Sequence, residues 1–337
     1  MPLNRQWRLV SRPEGRLTPS NFEWAEVPTP PILDGQILVR VVHLSLDPTN
    51  RGWTNASAGY LPPVTLGDVM RGIGLGVVEE SRHPGFRPGQ LVQGLTGWQT
   101  YVVSEGQGFT PFAPVPGLPS SAYLGLLGHI GATAYFGLLE VGRAQPGETV
   151  VVSAAAGAVG SLVGQIAKIA GCRVIGIAGG PVKCRRVVEE LGFDAAIDYK
   201  REPVQPRLRV LAKPGIDVGF DNVGGDILDA MLANLNLRGR IVLCGMIAQY
   251  NEAVPPPGPR YLGNLIVKRG RMEGFIVSDF AARFAEAMAK LAEWYAGGRL
   301  KYRVEIVDGL EQAPAALDRL FDGTNDGKLI VRVSEEP

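Results

Sequence analysis

Cysteine and histidine are scarce in this chain, with three of each in 337 residues. Cys172, Cys184 and Cys244 are odd in number and form no C-x-x-C, so neither a disulfide framework nor a cysteine zinc cluster is indicated. All three read as small apolar core residues. A catalytic zinc needs about three ligands meeting at one point, whereas His43, His83 and His129 lie in separate contexts, His83 in the turn Arg82-His-Pro-Gly85. An excess of charge is missing too. Lys+Arg number 34 and Asp+Glu 33, a net charge of +1, with no basic run long enough to track phosphates, so a nucleic acid partner is not expected. No apolar run reaches the roughly 18 residues of a membrane span. The stretch Met1 to Arg16 also lacks the apolar centre of a signal peptide. No membrane partner and a reducing, cytoplasmic setting are therefore expected.

Against these absences stands one local pattern. Thr149 to Ala170 is a β-branched run that meets Ala155-x-Gly157-x-x-Gly160 and passes directly into a helical period. A buried parallel strand that ends sharply on small residues lets the backbone approach a pyrophosphate, whose charge then sits on the helix N-terminus. The first glycine of the usual triplet is replaced by Ala155. The context nevertheless fits: the helix from about Ala158 is apolar on nearly every face, and a second β-rich segment, Arg173-Val-Ile-Gly-Ile-Ala178, arrives after one crossover. The chain is expected to bind a dinucleotide.

A chain of this length exceeds a usual single core, so two domains are expected. The first hundred residues alternate β-rich runs with Gly/Pro breaks: Gln36-Ile-Leu-Val-Arg-Val-Val-His43, Ile73-Gly-Leu-Gly-Val-Val-Glu79 and Gln90-Leu-Val-Gln93. That spacing, with no helical period between, predicts a compact barrel-like β domain. From Leu118 the pattern turns helical. After Thr149 strands (149–153, 173–178, near 195–197, 216–220, 240–244, 272–277) alternate with helices (158–170, 183–191, 225–236, 279–297), the signature of a parallel sheet. The tail from Leu300 to Val333 returns to short strands and is expected to rejoin the first domain. The predicted division is residues 1–128 plus 300–337 for a β-rich substrate domain, and 129–299 for a doubly wound Rossmann domain inserted in it. Val254-Pro-Pro-Pro-Gly-Pro-Arg260 is a stiff loop after a strand end, near the expected cofactor cleft.

One further absence bears on the cofactor. NAD-binding sheets carry an acidic residue roughly 20 residues beyond the glycine turn, where it accepts hydrogen bonds from the ribose 2′-hydroxyl. Gly179 and Gly180 stand there instead, followed by Lys183, Arg185 and Arg186. A 2′-phosphate would meet positive charge and room, which favours NADP. Without zinc or an evident general-base dyad, alcohol oxidation is hard to drive. Hydride addition to an electron-poor C=C bond needs only orientation and a donor to the developing enolate. Tyr250, six residues after Cys244 in a loop beyond strand 240–244, is placed to be that donor.

Five segments in order, Thr133-Ala-Tyr-Phe-Gly-Leu-Leu139, Ala154-Ala-Ala-Gly-Ala-Val-Gly-Ser161, Phe220-Asp-Asn-Val-Gly-Gly225, Cys244-Gly-Met-Ile-Ala-Gln-Tyr-Asn251 and Gly327-Lys-Leu-Ile-Val331, resemble the zinc-independent medium-chain reductases of the prostaglandin reductase and alkenal double-bond reductase group. The resemblance runs from about Asp47 to Val333. It implies an NADPH-dependent reductase of α,β-unsaturated ketones and aldehydes, a GroES-like barrel plus a Rossmann domain, and a homodimer. It places Lys183 and Tyr199 at the 2′-phosphate and Gly157, Ala158, Val159, Gly160 and Ser161 at the pyrophosphate. Asn222 falls by the ribose or nicotinamide. Cys244, Gly245, Met246, Ile247, Phe275, Ile276, Val277 and Asn325 would line the nicotinamide side, with Thr133 beside it. Tyr250 matches the group's active-site tyrosine. Two departures concern the substrate wall: Asp47-Pro-Thr-Asn-Arg51 stands for Asp-Pro-Tyr-Met-Arg, and His129-Ile-Gly131 for Met-Pro-Gly, both more polar. A quinone reductase of the same superfamily and a non-catalytic NADPH-binding protein are the competing readings.

Overall fold

The computed structural model describes residues 2–57, 59–115, 117–254 and 256–337. The chain divides into two compact units, Met1–Leu124 with Val304–Pro337, and Gly125–Arg303.

The first unit is built on short strands: β1 (Leu3–Leu9), β2 (Phe22–Pro28), β3 (Ile37–Ser45), β4 (Ile73–Ser81), β5 (Leu91–Leu95), β6 (Tyr101–Ser104) and β7 (Thr110–Pro111), completed from the tail by β14 (Val304–Asp308) and β15 (Lys328–Arg332). β1 and β2 form a separate antiparallel pair. The mixed seven-stranded sheet runs β14-β15-β3-β4-β5-β7, with β6 also on β3. β15 pairs antiparallel with β3, Ile330 opposite Ser45. Buried Leu9, Phe22, Leu44, Met70, Trp98 and Val331 form its main core, where Phe22 and Trp98 stack at 5.5 Å. The sequence reading assigned strands alone to the tail. Helix α9 (Ala313–Asp322) lies between β14 and β15 and sends Ala313, Ala316 and Leu317 into that core. The five-residue α1 (Thr49–Trp53) follows β3 directly.

The second unit carries a six-stranded, wholly parallel sheet: β8 (Thr149–Val152), β9 (Arg173–Ala178), β10 (Ala195–Asp198), β11 (Ile216–Asp221), β12 (Leu235–Leu243) and β13 (Arg271–Gly274). Its order, β10-β9-β8-β11-β12-β13, starts at the centre with β8, steps outward, then returns to the other side of β8. The order reverses between β8 and β11, where doubly wound sheets open a crevice at their carboxyl ends. The helices are α2 (His129–Phe136), α3 (Ala158–Ile169), α4 (Pro181–Glu189), α5 (Val204–Leu211), α6 (Gly225–Ala233), α7 (Asn264–Lys268) and α8 (Phe284–Ala296). All residues from Gly160 to Ala167 of α3 are buried, as its apolar composition requires.

Some boundaries differ from the sequence reading for physical reasons. β12 begins at Leu235, five residues before the segment read as strand, because Asn236 to Gly239 continue extended through a kink at Arg238, whose φ is 60°. The helix expected from residue 279 opens as a tight 3₁₀ segment, Val277–Arg283, and becomes α-helical at Phe284. Among the described residues no helix is long and apolar enough to cross a membrane.

Candidate active site

Most of the expected cofactor residues of the second unit follow the carboxyl ends of its strands: Gly157–Ser161 after β8, Lys183 after β9, Tyr199 after β10, Asn222 after β11, Cys244–Ile247 after β12 and Phe275–Val277 after β13, with Thr133 apart in α2. After Val152 the chain turns through Ala154, at φ 48°, and Gly157, whose N–H donates to the Ala154 carbonyl at 2.8 Å. α3 begins at once, without a side-chain cap, so its first amides face outward as an anion site needs. Gly160 is obligatory: a Cβ there would stand 2.4 Å from the Ala154 carbonyl oxygen. Ala155, in place of the first glycine, is fully buried, and its N–H donates to Ile177 on β9 at 3.0 Å. Its methyl is accommodated because β9 carries Gly176 opposite, where a Cβ would stand 2.8 Å away. These features fit a pyrophosphate cradle.

At the end of β9, Tyr199 lays its ring against Gly179, its edge atoms 2.9–3.0 Å from where a Cβ would stand. Lys183 follows in the first turns of α4. The nearest acid along this rim is Asp198, which sequence reasoning missed. Its Oδ1 accepts the N–H of Gly180 at 2.8 Å and of Lys200 at 3.1 Å, so the carboxylate braces the turn from below. Arg186 was expected among the positive charges open to a 2′-phosphate. It is instead buried, with Nη2 donating to the Ala156 carbonyl at 2.6 Å.

Between β8 and β11 lies a compact polar knot. Ser153 Oγ donates to Asp221 Oδ1 at 2.7 Å and accepts the Asn222 N–H at 2.7 Å. Asn222 Nδ2 donates to the Ser153 carbonyl at 2.8 Å. Asp221, fully buried, also accepts the N–H groups of Val223 and Gly224 at 3.1 and 2.8 Å, and its carbonyl accepts those of Cys244 and Gly245. Burial raises the Asp221 carboxyl above its ordinary range, against the pull of these hydrogen bonds. The Cys244 thiol is pushed up to about 12 by the cost of desolvating the thiolate and by Asp221, so it stays protonated. Of the three cysteines expected in the core only Cys172 is fully buried, Cys184 and Cys244 being half-buried at helix and strand ends.

From this knot the chain runs through Cys244–Ile247, tied back by Ile247 N–H to the Asn222 carbonyl and Ala248 N–H to the Val223 carbonyl. The Tyr250 hydroxyl accepts the Met246 N–H at 3.1 Å. Tyr250, Asn222 and Cys244–Ile247 are thus one assembly. Phe275 leaves the end of β13 and meets Phe220 edge to face at 6.4 Å. Ile276 and Val277 open the 3₁₀ segment. Thr133, inside α2, donates its hydroxyl to the His129 carbonyl at 2.7 Å. Asn325 belongs to the other unit, where its Nδ2 donates to Gly327 at 2.9 Å.

In that first unit, the segment from Ser45 to Arg51 rests on buried side chains. Lys328, 1% exposed, donates to Asp47 Oδ1 at 2.9 Å and to the Leu46 carbonyl at 2.6 Å. Ser45 Oγ donates to Asp47 Oδ2 at 2.6 Å. Burial lowers the Lys328 ammonium below its usual range, with Asp47 opposing. Thr49 Oγ1 and Tyr60 Oη are hydrogen-bonded at 2.6 Å, so an aromatic ring from later in the chain returns beside Thr49. Nothing in the sequence spacing signals either contact.

A parallel sheet in this order, with a glycine turn after its first strand and a loop tyrosine beyond its fifth, defines a dinucleotide-dependent oxidoreductase of the doubly wound class. Comparison with known proteins narrows this. Residues 5–112 match the family described as the N-terminal domain of oxidoreductase, and residues 158–293 the family described as zinc-binding dehydrogenase. Among the described residues no group of three or more His, Cys, Asp or Glu side chains is arranged to hold a metal ion. The chain is 44% identical to the NADPH-dependent curcumin reductase of Escherichia coli (strain K12), covering 98% of this chain and 97% of that one. It is 40% identical to prostaglandin reductase 1 of Rattus norvegicus, covering 97% and 98%. The crystal structure of CurA from Vibrio vulnificus in complex with NADPH superimposes with a TM-score of 0.93 at 43% identity, covering 98% of this chain and all of that one. The chain belongs to the zinc-independent medium-chain reductases of the prostaglandin reductase and alkenal reductase group.

Proposed function

We propose that the protein is an NADPH-dependent reductase of the carbon–carbon double bond of α,β-unsaturated ketones and aldehydes. The observation that carries the cofactor choice is the rim at the end of β9, with no free carboxylate on Gly179-Gly180, Tyr199 against Gly179 and Lys183 close behind. NADPH supplies the hydride, delivered to the β-carbon. The residues do the rest: the Ala154–Ser161 turn receives the pyrophosphate, Lys183 and Tyr199 the 2′-phosphate, and Asn222 with Cys244–Ile247 the ribose and nicotinamide side. Phe275, Ile276, Val277, Thr133 and Asn325 complete that side.

Tyr250 stabilises the enolate. A phenol both donates and accepts, so its acceptance of the Met246 N–H orients the oxygen while its O–H serves as donor to the developing oxyanion. The unit holding residues 1–124 and 304–337 is the substrate domain, and the other the cofactor domain. The protein acts as a homodimer, for which β13, an edge strand, and the exposed Ile266 (82%) and Val267 (65%) supply an apolar face. Sedimentation at micromolar concentration tests that part.

The reaction is tested by mixing the protein with NADPH and a panel of enones, enals and quinones, following loss of cofactor absorbance, with NADH as control. Rapid oxidation by enones with saturated ketone as product, and little with NADH, is the expected outcome. Turnover of quinones alone would make the protein a quinone reductase. Tight NADPH binding without turnover would make it a non-catalytic binder.

A further inference from the structure

We propose that Arg71 is a specificity residue that receives a carboxylate carried by the substrate at a distance from its enone. The proposal rests on the reading that Asp47 to Arg51 line the substrate side. Arg71 follows Met70, a core residue, and its carbonyl accepts Asn50 Nδ2 at 3.4 Å, which fastens it to that wall. Its guanidinium lies over the Trp53 ring, 5.4 Å from the centroid. One nitrogen, Nη1, donates to the Pro62 carbonyl at 2.8 Å.

The other donors of the fork have no carboxylate. Among the described residues Arg71 forms no ion pair, and the one acid of the wall, Asp47, is neutralised by Lys328. Arg51 is equally without a carboxylate, but it is buried and four of its five N–H donors are taken by the Gly15 carbonyl, Asn55 Oδ1 and Thr54 Oγ1. Arg71 is therefore the cation of this wall with donors left for a ligand. It is half-buried, so the missing counter-charge has an electrostatic cost, which stacking on Trp53 offsets in part. Burial pushes its pKa down while the Tyr60 phenol pulls it up, as befits a partly dehydrated cation near that hydroxyl. Tyr60, itself bonded to Thr49 at 2.6 Å, adds a second polar group beside the fork. A planar guanidinium with two free donors suits a carboxylate bound by both oxygens.

The test uses a straight-chain enone that ends in a carboxylate and the methyl ester of the same compound. The intact protein should favour the acid over the ester by about tenfold in kcat/KM, the size of one charge-assisted contact. That ratio should fall to near one in Arg71→Gln and survive in part in Arg71→Lys. High salt should erode it in the unaltered protein, a check that needs no variant to fold. Acid and ester turned over equally, or a ratio that persists in Arg71→Gln, would overturn the proposal. If no enone is reduced at all, the reaction reading fails separately. Arg71 is then judged by calorimetric binding of the corresponding saturated keto acid and its ester, where the same preference and its loss in Arg71→Gln are expected and equal binding contradicts it.

Discussion

The two units hold their candidate site residues by different means. In the Gly125–Arg303 unit the groups presented to a ligand are largely backbone amides at strand ends, and the polar side chains beneath them, Asp198, Asp221, Ser153 and Arg186, are engaged in holding those turns. In the other unit the wall is held from below by a buried ion pair, Lys328 with Asp47, and faces outward with side chains, Thr49, Tyr60 and Arg71. A cofactor common to many enzymes can be met by geometry that any sequence with the right small residues provides. A substrate must be met by side chains.

If this contrast holds, single replacements should hurt the first unit through stability and the second through cofactor choice. The largest effect is expected from Lys328→Met, which leaves Asp47 charged and buried. A loss of about 3–5 kcal/mol is expected, read by urea unfolding, and the pair Lys328→Met with Asp47→Leu should recover part of it. A variant as stable as the parent would break the comparison. Next, Lys183→Ala should narrow the preference for NADPH over NADH by about tenfold or more, measured as the ratio of kcat/KM values, while the melting temperature moves little. Tyr250→Phe should lower kcat by about tenfold, toward the low end of general acid catalysis, because geometry and charge at the turn remain.

The smallest effect concerns pH. His43 is buried on β3, its Nδ1 3.5 Å from Ser120 Oγ and 3.8 Å from the Glu336 carboxylate. Burial lowers its pKa from the ordinary 6.5, more than Glu336 raises it. The unfolded chain therefore takes up a proton below pH 6.5 that the folded chain refuses. Stability should fall as pH drops below that value, by no more than about 1.4 kcal/mol per pH unit, until the folded His43 titrates in turn. His43→Asn should flatten this slope in denaturation series at stepped pH.

Much of the parallel-sheet unit and its strand-end turns was legible in the sequence because the signals are short-range. The turn at Ala154–Gly160, the glycines at 179 and 180, and the spacing from Cys244 to Tyr250 each lie within a dozen residues of the strand that places them. Arg186 was read with Lys183 and Arg185 as charge open to a 2′-phosphate because nothing local reveals that its guanidinium reaches back to Ala156, thirty residues earlier. The wall of the first unit was legible only as a departure from Asp-Pro-Tyr-Met-Arg. Its partners are not set by local spacing: Lys328 and Asp47 are 281 residues apart, and the ring of Tyr60 returns to Thr49 from beyond the end of α1. Pairings of that kind are made by the fold and leave no periodic trace.

The measurement that bears most directly on the reaction is isotopic. The protein would be given NADPH deuterated at the transferable position with a simple enone, and the product examined by NMR. One deuterium on the β-carbon of a saturated ketone, the carbonyl intact, is expected. Deuterium on the carbonyl carbon of an allylic alcohol would contradict the account.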